Sequence, residues 1–467
     1  MESAPTSIAD EADLKSALEW FFEIDTTHGS LEKRILSAQE FFRAHATCME
    51  SRWPDPSDLL LKSDLIASYL AQADAFLNRP DSYDLTLAAY IVPFIKHIGA
   101  GLEFLRHMPG ATDRGRRFLN PKQEHPDGAL YELATAIRYA YEDFEVEFVP
   151  ETSGRSADLR VGPPGSTKDL YVECKRLRAS DYELREKASL RALFSPLAVL
   201  IRERRLSVFI DVQFISDLAK IPQSYLADRI ASAVHSPLYL PHGYPWHDEY
   251  SEGVVKDACI DSVRADAREN GPLIVGPKMW RLLTGDFLPS GPYHFILRGR
   301  SDERDPRYVD KVDYASVLSW HCLSPDSIGA RARHISSLLS NIDRQLSTAP
   351  MGIAHIGMYA ERDTITADRR RARNLEAVGR FRPNSKLIDI YTHYYMPRVS
   401  ESHSWTIDET TDSNSRLDEP LLDDPRILVL DDLQLDTTEA AWHLPPPPLR
   451  GTMSPTASHR RKDEQDY

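Results

Sequence analysis

Apolar positions recur at helical spacing over the first stretch of the chain, to about residue 108. Leu14, Leu18, Phe21 and Phe22 form one stripe, and Ile35, Phe41 and Phe42 a second. Leu59, Leu60, Leu65, Tyr69 and Leu70 form a third. A fourth runs from Leu85 to Leu105, with Asp81 and Ser82 after Pro80 as its expected cap and a kink expected at Pro93. The pattern predicts a helical region over residues 1–118 that packs against the rest of the chain. Residues 109–128, rich in Gly, Pro and Arg, read as a connection.

From residue 129 the period changes. Residues 129–143 predict a helix, and FEVEFV at 144–149 alternates at period two, with Phe144, Val146 and Phe148 on one face. ADLRV (157–161) and LYVECKRL (170–177) predict two more short strands, joined by the turn-rich GPPGSTKD. A long helix over 181–204 and the strand LSVFIDVQFI at 206–215 complete the order helix, three strands, helix, strand. Further helices are expected at 222–234, 326–347 and 366–379, and further strands at 352–359 and 386–396. From about 401 the chain turns acidic and polar, broken by RILVL at 426–430, and Pro445–Pro448 predicts a polyproline segment. The expected class is α/β: a domain over 119–400 with its core at 129–215, followed by a largely disordered tail over 401–467.

With 467 residues and 42% hydrophobic content, the chain can bury a sizeable core. The 56 Lys and Arg against 71 Asp and Glu leave a net charge of −15. That argues against a protein that coats nucleic acid or anionic membrane over its whole surface, and leaves room for a local basic cleft. Cys48, Cys174, Cys259 and Cys322 lie far apart with no CxxC pair, so neither a disulfide framework nor a zinc knuckle is indicated. The opening MESAPTSIADEAD is acidic where a signal peptide is basic and then apolar, and the longest apolar run, Leu85 to Ile95, is too short to cross a bilayer. A cytoplasmic protein with no membrane partner is expected.

The chemistry concentrates in LYVECKRL. Alternation sends Leu170, Val172 and Cys174 to one face of the strand and Tyr171, Glu173 and Lys175 to the other. If the preceding strand pairs with it as a hairpin, Asp158 approaches Glu173. Two apposed carboxylates repel unless a proton or a cation sits between them, and a hard divalent cation such as Mg²⁺ suits oxygen ligands while keeping positions for water and phosphate oxygens. Lys175 beside them can orient or help deprotonate an attacking water, or stabilise developing charge. Glu132, outside the apolar stripe of Leu130, Leu133, Ile137 and Tyr141, supplies a further acid from the preceding helix.

Glu132 in YELATA, Asp158 in SADLRV and Glu173-x-Lys175 in YVECKRL together resemble the signature of the PD-(D/E)xK nuclease superfamily, over roughly residues 119 to 215. The resemblance implies a restriction-endonuclease-like core, whose element order is the one read above. It also implies Mg²⁺-dependent hydrolysis of phosphodiesters, with Mn²⁺ as a substitute and DNA as the more usual substrate. Asp158 and Glu173 would be metal ligands with the backbone carbonyl of Cys174, Lys175 would act on the water, and Glu132 would be the helix carboxylate. Ala157 stands where the family pattern has proline, no Gln-rich motif follows Lys175, and no GxxxxGK[ST] phosphate loop is present. The alternative is an inactive nucleic-acid-binding module or an interaction scaffold on the same fold, with the tail as a docking segment. Cutting both strands of a duplex with one site per chain would favour a homodimer.

Other groups complete the candidates. Arg176, Arg178, Arg185 and Lys187, just beyond the E-x-K, are expected to hold a backbone phosphate. Arg369, Arg370, Arg371 and Arg373 read first as a solvated helix face, and second as a phosphate-binding patch. Asp389, Tyr391 and His393 read as the half-exposed side of a strand. His242 and His247 lie in a loop without the helix a zinc hydrolase motif needs. Tyr225, Trp246, Trp280 and Trp320 read as core.

Overall fold

In a computed structural model the chain is described over residues 8–26, 30–46, 64–79, 82–122, 126–150, 156–162, 169–177, 181–235, 243–269, 276–286, 293–301, 309–360, 364–399, 405–417, 421–422, 425–428 and 440–443. It is a mixed α/β structure built on two sheets. Among the described residues, no helix is long and apolar enough to cross a membrane.

The N-terminal stripes fold as helices α1 (Ile8–Ile24), α2 (Ser30–Ala46), α3 (Leu65–Asn78), α4 (Leu85–Ala100) and α5 (Leu102–His107). The Asp64 carboxylate caps α3 by accepting the Ala67 N–H. For α4 the cap is Asp84, which accepts the Leu87 N–H, rather than the expected pair at 81–82. Pro93 lies inside α4. Gly101, between α4 and α5, lets the chain pass close to a neighbouring helix: a Cβ there would lie 2.4 Å from the Ile137 side chain.

The expected connection at 109–128 is corrected by the structure, since Ala111–Leu119 forms a helix, α6. Its buried positions keep helical spacing, but only Phe118, packed 5.2 Å from the Phe21 ring, and Leu119 are large and apolar, and a buried arginine shares the face. Helix α7 (Pro126–Tyr141) follows and is buried along most of its length.

The first sheet has the order β1-β2-β3-β9-β10-β11. Strands β1 (Glu145–Phe148), β2 (Leu159–Gly162) and β3 (Leu170–Arg176) form an antiparallel meander. Beside β3, in parallel, lies β9 (Gly352–Tyr359), followed in parallel by β10 (Leu387–Val399) and then by antiparallel β11 (Trp405–Ser415). On one face, residues of α1, α3, α4, α6 and α7 share a single apolar cluster with Val172, Ile353 and Tyr391, so the N-terminal helices build this sheet's core. Helices α12 (Pro325–Gln345) and α13 (Thr364–Arg380) cover the other face through Ile335, Leu339, Ile342, Ala367 and Val378.

Between β3 and α12 the chain leaves to form a second sheet, order β5-β6-β4-β8-β7. Its strands are β4 (Val208–Phe214), β5 (Tyr244–His247), β6 (Ser251–Asp257), β7 (Tyr293–Ser301) and β8 (Val309–Cys322). Helices α8 (Asp181–Arg204) and α9 (Tyr225–Val234) pack on one face, and α10 (Ile260–Glu269) and α11 (Pro277–Thr284) on the other. Tyr225, Trp246 and Trp280 are buried in these two layers, as the sequence suggested.

This topology corrects the expected core at 129–215. The strand at 206–215 exists, but it pairs with β6 and β8, and the strand beside β3 is β9, reached through α12. Period and polarity give each strand its faces and leave its partner open, so succession in the sequence does not make the strand at 206–215 a neighbour of β3 in space. The tail expectation is also corrected: β11 pairs with β10 from Asp389↔Ser415 to Val399↔Trp405, and Leu422, Ile427 and Leu428 are buried in the core. The polyproline run and the GPPGST stretch at 162–167 beyond Gly162 lie outside the described residues.

Candidate active site

Asp158 is held three ways at the head of β2, twice by β3 and once by the residue that follows β1. Its N–H donates to the Val172 carbonyl at 3.0 Å, its carbonyl accepts the Val149 N–H at 3.0 Å, and its Oδ2 accepts the Cys174 N–H at 2.8 Å. The last bond sets the Asp158 carboxylate against the backbone between Glu173 and Lys175. Glu173 is completely buried and forms an ion pair with Lys175, whose side chain is 27% exposed. These two lie on one face of β3, as alternation requires.

Glu132 reaches the same region from α7. It is buried, and its Oε2 pairs with Arg114 of α6, itself buried with its guanidinium 5.4 Å from the Phe148 ring centroid. Arg117, one helical turn further, also acts on Glu132. The structure thus gathers Glu132, Asp158, Glu173 and Lys175 and faces them with two arginines that sequence reasoning missed. Their only signal was RGRR at 114–117, inside a stretch read as a connection.

The crowding of acids moves their protons. Burial first, then Asp158, pushes the Glu132 carboxyl up to about 8 against the opposing pull of Arg114. Burial and Asp158 likewise push Glu173 up to about 8, with Lys175 pulling the other way. For Lys175, burial works to lower the ammonium pKa, but Glu173 and Asp158 more than offset it and the net shift is upward. Lys175 is therefore a held cation.

The donor set can be tested against a divalent ion. Among the described residues, no three carboxylate, imidazole or thiol groups form a ready-made metal cage. Mg²⁺ asks for less, one or two carboxylates with water completing the octahedron. Glu173 Oε2 is buried and accepts no hydrogen bond among the described residues, which is costly for a carboxylate unless a proton or cation compensates. Asp158 and Glu173 fit a magnesium ion on that count, with Lys175 and Arg114 neutralising the acids otherwise.

The remaining expected residues fall elsewhere. Cys174 points its thiol into the helix-covered core, where burial raises its pKa well above the usual thiol range, so only its backbone belongs to the site. Arg176 is not a phosphate contact. It shares the face of Cys174 and its guanidinium is enclosed by the rings of Tyr359, Tyr395, Phe94 and Tyr131, at 4.2, 4.7, 5.5 and 6.0 Å from their centroids. The period-two pattern already put it opposite Lys175; adjacency in sequence suggested otherwise. Arg178 lies outside the described residues. Arg185 and Lys187 are exposed on α8, whose buried face serves the second sheet.

Asp389, Tyr391 and His393 are not half-exposed; all three are buried. His393 belongs to a polar chain across the sheet that the sequence did not reveal. Tyr139 Oη lies 2.9 Å from His355 Nε2, His355 Nδ1 lies 2.9 Å from His393 Nε2, and His393 Nδ1 lies 2.7 Å from Glu409 Oε1. Glu409 also accepts the N–H groups of Ile427 at 2.9 Å and Leu428 at 2.7 Å. A carboxylate surrounded by donors is acceptor only, so His393 donates to Glu409 through Nδ1.

Compared with protein-family models and with curated proteins, the sequence finds no match.

Proposed function

We propose that this chain is a divalent-metal-dependent nuclease that hydrolyses phosphodiester bonds, with DNA as the expected substrate. The observation that carries the reading is the Asp158 carboxylate bonded to the Cys174 N–H between Glu173 and Lys175. It brings a strand acid and an E-x-K pair into one space at the end of a β-meander, with Glu132 alongside. This local arrangement supports the resemblance to the PD-(D/E)xK nucleases, although the strand that flanks β3 comes from far along the chain.

Asp158 and Glu173 would hold a Mg²⁺ ion with the Cys174 carbonyl, and that ion, when bound, supplies charge neutralisation and an activated water. Lys175, raised in pKa, acts as a fixed positive charge that orients the water and offsets the charge developing on phosphorus-bound oxygens. Glu132, set by Arg114, accepts a hydrogen bond from a water on the helix side. Removing one such charged donor typically lowers kcat about 10²–10³-fold.

A second reading, a module that grips nucleic acid without cutting, is favoured by one feature: Glu173 is fully enclosed and already paired with Lys175. One experiment separates the two. Linear duplex DNA, circular single-stranded DNA and RNA are incubated with Mg²⁺, Mn²⁺ or EDTA, with wild type and Lys175→Ala side by side. Metal-dependent cleavage that Lys175→Ala loses is expected. Binding without cleavage in every metal would replace the nuclease reading with the second.

A further inference from the structure

With the Arg176 guanidinium enclosed by rings and Arg185 and Lys187 on the layer of the other sheet, the nuclease reading needs another surface for the polymer. The arginine cluster of α13 divides in a telling way. Arg370 and Arg371 turn inward: Arg370 is buried beside Glu183, and Arg371 bonds Asp412 through Nε at 3.0 Å. Arg369, Arg373 and Arg380 stay exposed at i, i+4 and i+11, one stripe of the helix. Their stripe borders a cavity of about 380 Å³ between α12 and α13.

Arg373 and Arg380 form one wall of this groove, and Ser336 and Ser340, one turn apart on α12, the other. Its floor is Leu339, Ala377 and Phe381. Arg373 leans across Gly329, where an added Cβ would lie 3.1 Å from its Nη1, so the bare backbone of α12 makes room for the guanidinium. The one lining carboxylate, Glu376, pairs with Arg380 at 2.6 Å on an exposed turn, an interaction that costs little to exchange. The groove therefore carries two arginines against one acid, in a chain whose net charge is −15.

Its position also fits. Helices α12 and α13 cover the sheet face that carries Tyr171, and Ala157, next to Asp158, and Leu177, two residues past Lys175, belong to the same apolar cluster. We propose that the α12–α13 groove binds the phosphodiester backbone of the nucleic acid being cut, with Arg373 and Arg380 as ionic contacts and the Ser336 hydroxyl as a neutral donor, the Ser340 hydroxyl being already given to the Ser336 carbonyl at 3.2 Å. This rests on the nuclease reading and names the surface that holds its substrate.

The test is binding in EDTA, so that nothing is cut. Fluorescence anisotropy of labelled duplex DNA, single-stranded DNA and RNA is measured over a salt series for wild type, Arg373→Gln/Arg380→Gln, and Ser336→Lys. Each lost phosphate contact lowers the slope of log K against log salt by about 0.9. The double variant should flatten the slope by about two units and weaken binding about sixty-fold at 0.1 M salt, whereas Ser336→Lys should steepen it by about one. Wild-type binding whose slope neither variant moves overturns the groove and leaves the nuclease reading standing. No wild-type binding to any of the three polymers overturns both. Both variants replace exposed side chains, and unchanged thermal unfolding would show that the fold is intact.

Discussion

Replacing Glu173 by glutamine tests how the candidate site stores its charge. The side chain has no exposure to solvent, and burial with Asp158 raises its carboxyl from 4.5 to about 8. A carboxyl whose folded pKa lies above its unfolded value takes up a proton on folding. Its contribution is fully present below pH 4.5 and drains away as pH rises toward 8. At pH 7 the chain stands about 2.5 units above the unfolded value, and at about 1.4 kcal/mol per unit the wild type has given up about 3 kcal/mol. Glutamine has the same shape and does not ionise, so Glu173→Gln should match wild type near pH 5 and exceed it by about 3 kcal/mol at pH 7. Urea denaturation in EDTA across this range reads the difference directly. Mg²⁺ at 100 times its Kd should restore about 2.7 kcal/mol to wild type at neutral pH and far less to the variant. A variant destabilised by a constant amount at every pH would refute the reasoning: Glu173 would then be ionised throughout, and its ion pair with Lys175 would be what the fold requires.

Two further outcomes follow from pairs that the fold encloses. Arg114→Met removes the cation that opposes the rise of the Glu132 pKa, so chemical denaturation should show a loss of stability that grows as pH rises from 5 to 8, part of which Glu132→Gln in the same chain should restore. Glu409→Gln puts an amide donor against the N–H groups of Ile427 and Leu428, so hydrogen exchange at those two amides should accelerate as about 1–3 kcal/mol of local stability is lost. Unchanged protection there would mean that the buried side chains of Ile427 and Leu428 alone hold the segment.

What the sequence revealed was local. Alternation in LYVECKRL assigned Glu173 and Lys175 to one face, and hairpin pairing brought Asp158 to them, because both follow from period two and a short connection. Three features escaped for physical reasons. Strand β9 looks the same in sequence whether it lies beside β3 or elsewhere, since pairing over a long separation leaves no local trace. Helix α6 keeps a helical spacing of buried positions, but it fills three of the five with Ala111, Arg114 and Gly115, so the segment reads as small and charged residues. The chain from Tyr139 through His355 and His393 to Glu409 joins residues from four elements, each of them ordinary in its own segment.

The parallel pairing of β3 with β9 has a consequence for how the protein is made. During synthesis, residues 170–176 leave the ribosome long before residues 352–359 that complete their ladder. Until then β3 is an open edge, able to pair with any other strand that reaches it. The second sheet lies wholly within that interval, and its own collapse brings the two ends of the excursion closer and shortens the loop that must close. A nascent chain released before β9 would carry Asp158, Glu173 and Lys175 on an unfinished sheet. The full arrangement of charge thus comes into being only late in translation, after most of the polypeptide has folded around it.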